Sequence, residues 1–430
     1  MNKLFSIVII ETILILRSVF MWLVALFAVG IFLTSVFLVK QIIKFCNRFA
    51  LYDSVNARKI HSGNIPRLGG IAILLAFILG CIAFFGITEP HKIIQKLPFF
   101  ISCLIIFAVG ILDDLVELRA RTKLLAQLVA TGIAVFFGYR FQSILGIPLN
   151  TTVFGRIFSC IFTYCWVIGI INSYNLIDGL DALCGSLALF VLVSVAVIYA
   201  EINAEKAITC IFLASAILGF LVFNRPPAKI FMGDNGSQFL GFMVAILPLY
   251  VSQNPNSTFE FNKILFVIVF AAIPMTDTIA AIWRRLRERR PIMSPDKRHL
   301  HHKLLNLGFS KTQVLILLDL IQVSICAIAI LSAKLDKSIA TIVLSFTYAL
   351  VLVFFSVIHF KNLKIDFIDK TRQDKTRQDK TRQDKTRQDK TRQDKTRQDK
   401  TRQDKTRQDK TRIFQKFPCI ATTPLQTTTR

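Results

Sequence analysis

The chain has 430 residues, 53% of them hydrophobic and 18% charged, with 38 phenylalanines and a formal charge of +25. Apolar runs of bilayer-crossing length recur along most of the sequence, which excludes a soluble globular domain and predicts an all-α, polytopic integral membrane protein. The charge excess is read as membrane topology, not as a nucleic-acid footprint: a repeat tract near the C-terminus supplies +9 of it and leaves +16 for the remainder.

Residues 1–20 are moderately apolar but interrupted by Glu11 and Arg17. They are set apart as an extension, either an interfacial helix or residues upstream of a start at Met21. From Met21 the pattern predicts about eleven spans. These are Met21–Phe45, Gly69–Ile87, Leu97–Leu112, Lys123–Phe141, Val153–Ile171 and Ala182–Ala200, then Ala207–Phe223, Gln238–Val251, Ile264–Ile282, Thr312–Ala333 and Ile339–His359. Alternate loops carry the cations, among them Arg58, Lys59, Arg67, Arg119, Arg121, Arg225, Lys229 and the Arg284–Arg290 run. The positive-inside rule places that set in the cytoplasm and makes residues 21–360 the membrane domain. The nine cysteines lie singly and form no C-x-x-C pair, so they are read as small apolar residues. From Asp369 a Asp-Lys-Thr-Arg-Gln unit repeats, with no apolar residue to bury, and residues 361–430 are expected to be a disordered, solvated tail.

Clusters of polar residues mark the ends of the spans on the cation-rich side. Asn172, Asn175, Asp178 and Asp181 recur every three residues around Gly179, which crowds them along one side of a tight helical turn. Hard oxygen donors of this kind suit Mg²⁺, although an Asn/Asp/Gly loop of turn formers has the same composition. Asp113 and Asp114 stand side by side at the end of the third span, where adjacent carboxylates repel unless a cation, metal or shared proton intervenes. His61 and Arg67 flank the Gly69-Gly70 pair, whose backbone N–H groups are candidates for phosphate. Lys229 precedes Phe231-Met232-Gly233-Asp234-Asn235-Gly236-Ser237, in which Asp234 opens a helix as a metal ligand or phosphate-site carboxylate. Asp277 lies inside an apolar run, where a carboxylate is functional by default. His299, His301 and His302 fall among cations that would repel zinc, which favours a nucleotide or diphosphate as their partner.

In order, P-R-x-G-G, G-x-x-D-D, N-x-x-N-x-x-D-G-x-D, F-M-G-D-x-G-S and P-D-x-x-H-x-H-H resemble the polyprenyl-phosphate N-acetylhexosamine-1-phosphate transferases, closest to the bacterial undecaprenyl-phosphate N-acetylglucosamine branch. The resemblance runs from about Phe45 to Phe309 by motif. It implies transfer of an N-acetylhexosamine-1-phosphate, most closely GlcNAc-1-phosphate, from a UDP-sugar to undecaprenyl phosphate, with release of UMP and with Mg²⁺ or Mn²⁺ as cofactor. Such a reaction opens O-antigen or other envelope polysaccharide synthesis at the cytoplasmic face of the bacterial inner membrane. By the same resemblance Asp113 and Asp114 lie near the lipid phosphate and include a general base. Asp178 and Asp181 join them in the chemistry, and Asp178 and Asp234 hold the metal. His61, Arg67, Asn172, Asn175, Lys229, His299, His301 and His302 contact substrate. Ala182 departs from the glycine common in the family, which stiffens that turn. Membrane lipids are the other partner, nucleic acid is not, and a homodimer is left open. The competing readings are phospho-N-acetylmuramoyl-pentapeptide transfer and, in another class, a secondary transporter, although no internal repeat supports transport.

Overall fold

The computed structural model of the protein describes the backbone of residues 2–52, 65–250, 256–291 and 298–416. The chain divides into two units, Met1–Phe360 and Lys361–Arg430. Its first helices are α1 (Asn2–Phe49), α2 (Gly70–Thr88), α3 (Ile93–Val116), α4 (Ala120–Phe136), α5 (Val153–Ile177), α6 (Leu183–Tyr199) and α7 (Ala204–Asn224). There follow α8 (Gly233–Ile246), α9 (Thr258–Phe261), α10 (Lys263–Phe270), α11 (Ala272–Arg287), α12 (Leu300–Asn306), α13 (Lys311–Ser332) and α14 (Lys337–Lys416). A short hairpin pairs Ser143 with Pro148 and Ile144 with Ile147. The protein is thus all-α and polytopic, as its hydropathy predicts.

Every predicted span coincides with a helix, but not every helix can cross a bilayer. Among the described residues seven helices are long and apolar enough, or eight if the bent pair α10–α11 counts as one. The expected eleven are these eight together with the shorter helices α4 and α6, of 17 residues each, and α8, of 14. α8 runs on through a tighter turn to Leu249 and is an internal axle, packed by α2, α3, α5 and α6, with every residue except Asp234 buried. Glycines permit that depth: a Cβ on Gly110 would lie 2.5 Å from the Asn235 Cα, and one on Gly241 2.8 Å from the Ile171 Cα.

The ninth predicted span is broken by a 77° bend between α10 and α11. Pro274 lacks the N–H that a continuous helix would donate to the carbonyl of Phe270. Gln322 of α13 supplies the missing donor, its Nε2 lying 3.1 Å from that oxygen. At the start of the chain, the extension expected to stand apart continues as part of α1, whose apolar span is Ser18–Phe49.

In the second unit the segment expected as a solvated tail has a regular backbone. The repeat is helical as far as Lys416, and its described residues from Thr376 to Lys410 are all exposed. A five-residue period gives no apolar stripe, yet it contains no glycine or proline to stop a helix. Thr381 and Thr386 donate their hydroxyls to the carbonyls of Arg377 and Arg382, four residues back, at 2.9 Å each. Asp and Arg stand three apart and Lys and Asp four apart, spacings at which opposite charges meet on a helix surface.

Candidate active site

The site is built on the N-terminus of α8. The segment before it lies against the segment before α2: Phe231 N–H donates to the Pro66 carbonyl (2.7 Å), and the Gly69 and Gly70 N–H groups donate to the Phe231 and Met232 carbonyls (2.9 Å each). Close approach explains the glycines. A Cβ on Gly70 would lie 2.1 Å from Asn235 Oδ1, and one on Gly233, at φ +76°, 2.2 Å from the Arg67 carbonyl. The suggestion that Gly69 and Gly70 offer their amides to phosphate is therefore corrected, since both are spent on backbone carbonyls.

Gly110 and Asp114 are four residues apart on α3 and share a face. The close contact at Gly110 brings Asp114 beneath the turn that opens α8. Asp114 Oδ1 accepts from the Asp234 N–H (2.9 Å) and from Arg67 Nε (2.8 Å). Its Oδ2 accepts from the Asn235 N–H (2.9 Å) and the Asn235 side-chain amide. This carboxylate is fully enclosed and both oxygens are taken. In this arrangement Asp114 anchors the turn that opens α8. Asp113 is also buried, accepting from the Leu118 N–H (2.8 Å) and pairing with Lys123.

Above this floor lie Arg67, Lys123 and Asp234, with side chains 23%, 27% and 22% exposed against 0% for Asp114. Asp234 pairs with Lys123 Nζ at 3.2 Å and, more loosely, with Arg67 at 3.5 Å. Burial pushes the Asp234 carboxyl up, but the hydrogen bond shared with Asp113 and the charges of Lys123 and Arg67 prevail and hold it below its ordinary value. Asp178, at the C-terminal end of α5, is half-buried and has no hydrogen-bond or ion-pair partner among the described residues. Burial first, and then the negative charges of Asp234 and Asp114, push its carboxyl well above the ordinary range. The Arg67 charge opposes this and is outweighed; a carboxylate held near others suits a divalent ion. Among the described residues no three His, Cys, Asp or Glu side chains form a metal-binding group by themselves.

The remaining residues of that loop act as brackets. Asn172 donates to Gln127 Oε1 (3.0 Å) and Gln127 to Gln238 Oε1 (3.2 Å), tying α5 through α4 to α8. Asn175 donates to Ser237 Oγ at 3.0 Å. Asp181 accepts from the Ala228 N–H (3.1 Å), while the Ala182 N–H donates to Asn224 Oδ1 (2.9 Å). Asp181, listed with the chemical carboxylates on sequence grounds, thus holds the loop that carries Lys229. The Lys229 side chain is exposed. His61 lies outside the described residues, as do Pro295 and Asp296 of the histidine motif.

The histidines meet this site at Gly179, where a Cβ would lie 2.6 Å from His301 Nε2. His299 and His301 have parallel rings with centroids 6.1 Å apart, and His302 lies 4.3 Å from His301. His301 is buried, and burial, with help from His302, lowers its pKa to about 3. It is a neutral imidazole at physiological pH. Lys123, Gln127, Asn235 and Asp277 complete the arrangement. Lys123 was counted as the first residue of a span; a cation opening an apolar helix nine residues after two carboxylates was the signal that could have found it.

All-α membrane architecture with carboxylates, cations and imidazoles drawn from five stretches to one end of a bundle defines a membrane-embedded enzyme. Glycosyl transferase family 4 matches residues 97–252. A probable undecaprenyl-phosphate N-acetylglucosaminyl 1-phosphate transferase of Bacillus subtilis is 34% identical over 315 residues, 71% of this chain and 85% of the relative. A decaprenyl-phosphate N-acetylglucosaminephosphotransferase of Mycobacterium leprae is 32% identical, covering 64% of this chain and 75% of its own length. An Escherichia coli undecaprenyl-phosphate alpha-N-acetylglucosaminyl 1-phosphate transferase is 29% identical, with 67% and 78% covered. The chain belongs to the polyprenyl-phosphate N-acetylhexosamine-1-phosphate transferase family and is a phosphotransferase of that type.

Proposed function

We propose that this enzyme transfers GlcNAc-1-phosphate from UDP-GlcNAc to undecaprenyl phosphate at the cytoplasmic face of a bacterial inner membrane, opening the synthesis of an envelope polysaccharide. An oxygen of the lipid phosphate attacks the sugar-side phosphorus, a new P–O–P bond forms, the bond to the bridging oxygen of UMP breaks, and UMP leaves. A phosphate monoester is largely ionised at pH 7, with a second pKa of about 6. The attack therefore asks no base of Asp113 or Asp114, in keeping with their buried, committed oxygens.

One observation carries this reading: Asp178, without a hydrogen-bond or ion-pair partner among the described residues, lies near Asp234, which Lys123 and Arg67 hold, and next to Gly179, on which His301 rests. Asp178 and Asp234 would hold Mg²⁺ or Mn²⁺, which binds through one or two carboxylates and substrate phosphate and would neutralise the diphosphate. Lys123 has three N–H donors, two engaged by Asp113 and Asp234, which leaves one for a phosphate oxygen. The neutral His301 and its neighbours offer N–H donors to the nucleotide-sugar diphosphate. The loops at this end (47–68, 113–122, 172–181, 224–237 and 283–311) carry 17 Lys and Arg against six in the opposite set, which supports the cytoplasmic assignment.

The test is incubation of the purified protein with undecaprenyl phosphate and, separately, UDP-GlcNAc, UDP-GalNAc and UDP-N-acetylmuramoyl-pentapeptide, scoring lipid product and UMP. Product from UDP-GlcNAc, abolished by EDTA and restored by Mg²⁺ or Mn²⁺, is expected. Product from the pentapeptide substrate alone would overturn the sugar assignment, and recovery with Zn²⁺ alone would overturn the metal assignment.

A further inference from the structure

Beneath the histidines lies a buried carboxylate with no part in the chemistry above. Asp277 is 2% exposed on α11, one turn after Pro274 and the bend that separates α11 from α10. Its Oδ2 lies 2.8 Å from His299 Nδ1, and its Oδ1 accepts the Leu300 N–H at 2.8 Å. Both partners belong to the start of α12: His299 caps the helix and Leu300 is its first residue. An ionised carboxylate can only accept, so the pairing requires the proton on Nδ1 and leaves Nε2 facing away from Asp277. The second bond fixes the backbone that carries His301, whose ring is parallel to that of His299 and rests against Gly179.

We infer that Asp277 is a positioning residue for the nucleotide-sugar half of the reaction: it sets the His299 tautomer and seats α12, so that His299 and His301 are presented to the substrate in one orientation. The inference rests on the reading of these histidines as nucleotide-sugar contacts. A carboxylate that holds a functional imidazole in this way typically changes affinity or activity by about 10–100-fold when it is replaced. Asp277 has both oxygens engaged by the start of α12, and the family resemblance puts the lipid phosphate near Asp113, which pairs with Lys123. Loss of Asp277 should therefore weigh on one substrate and not on the other.

The experiment uses the full chain in detergent. Nitrogen-15 NMR of histidine-labelled wild-type protein, with the His299 signal assigned through His299→Asn, should show the proton on Nδ1. Asp277→Asn keeps the size of the side chain but can no longer accept both N–H groups. It should raise the KM for UDP-GlcNAc about tenfold or more while the KM for undecaprenyl phosphate stays within about twofold. An Nε2–H tautomer in the wild type would overturn the inference without recourse to any variant, which also decides the matter if Asp277→Asn does not fold. An unchanged KM for UDP-GlcNAc, or an equal rise in both constants, would overturn it as well. Failure of the functional reading would look different: wild-type protein would make no lipid product from any UDP-sugar, while the tautomer would still report on Asp277.

Discussion

Asp114 and Asp178 carry the same charge in one site, yet replacing each by Asn should do opposite things to the fold. Asp114 accepts four N–H groups, two on each oxygen. An Asn at that position directs its NH₂ at one of these pairs whichever way it is turned, so two buried donors lose their acceptor and Arg67 loses its counter-charge. Breaking a buried charge pair costs about 3–5 kcal/mol, and Asp114→Asn should be destabilised by that order. Asp178 has no such bonds to lose among the described residues, and burial and then the charges of Asp234 and Asp114 disfavour its ionised form. Asp178→Asn should therefore unfold no more readily than the wild type in metal-free detergent, while turnover falls on the order of 10²-fold or more as a metal-binding carboxylate is removed. Thermal unfolding and turnover of both variants, measured side by side, check this. Equal destabilisation of the two, or an Asp114→Asn variant with an unchanged midpoint, would refute the division between anchor and ligand.

Further outcomes follow from individual residues. Ala182 sits at φ +67°, a left-handed conformation that costs an L-residue about 1–2 kcal/mol; allowing for the extra flexibility of glycine in the unfolded chain, Ala182→Gly should raise stability by up to about 1 kcal/mol, read as a higher unfolding midpoint. His301 is lowered from 6.5 to about 3 in the folded state, so the unfolded chain binds the proton first and stability falls as pH drops below 6.5. Unfolding midpoints between pH 7.5 and 4.5 should accordingly decline more steeply in the wild type than in His301→Gln. Deletion of residues 369–430, which contain none of the site's sequence motifs, should leave specific activity within a few-fold; complete loss in correctly inserted protein would contradict that.

The sequence made the helices legible because bilayer solvation leaves little choice: a long apolar run must satisfy its own backbone. It could not show which apolar runs face lipid and which face other helices. Gln238–Val251 reads like the other spans, and only the structure shows that α8 is enclosed by its neighbours. At the 77° break the freed carbonyl of Phe270 is met by Gln322, a partner 52 residues away along the chain that no local pattern announces. In the site, residue types were readable and roles were not. Asp113, Asp114, Asp178 and Asp181 look alike in one dimension, and only packing separates the oxygens already accepting N–H groups from those left open. The Gly-Gly pair illustrates the same limit, since a glycine that admits phosphate and one that admits another backbone are the same residue in sequence. Lys123 was hidden by its position at the head of an apolar helix.

The fate of the β-phosphorus tests the central claim most directly. Purified protein should be given UDP-GlcNAc labelled with ³²P at the β position, undecaprenyl phosphate and Mg²⁺. If the site transfers sugar-1-phosphate, all transferred label enters the lipid fraction and the nucleotide released is unlabelled UMP. Label retained in a released UDP would mean that the sugar moves without its phosphate, and would contradict the account.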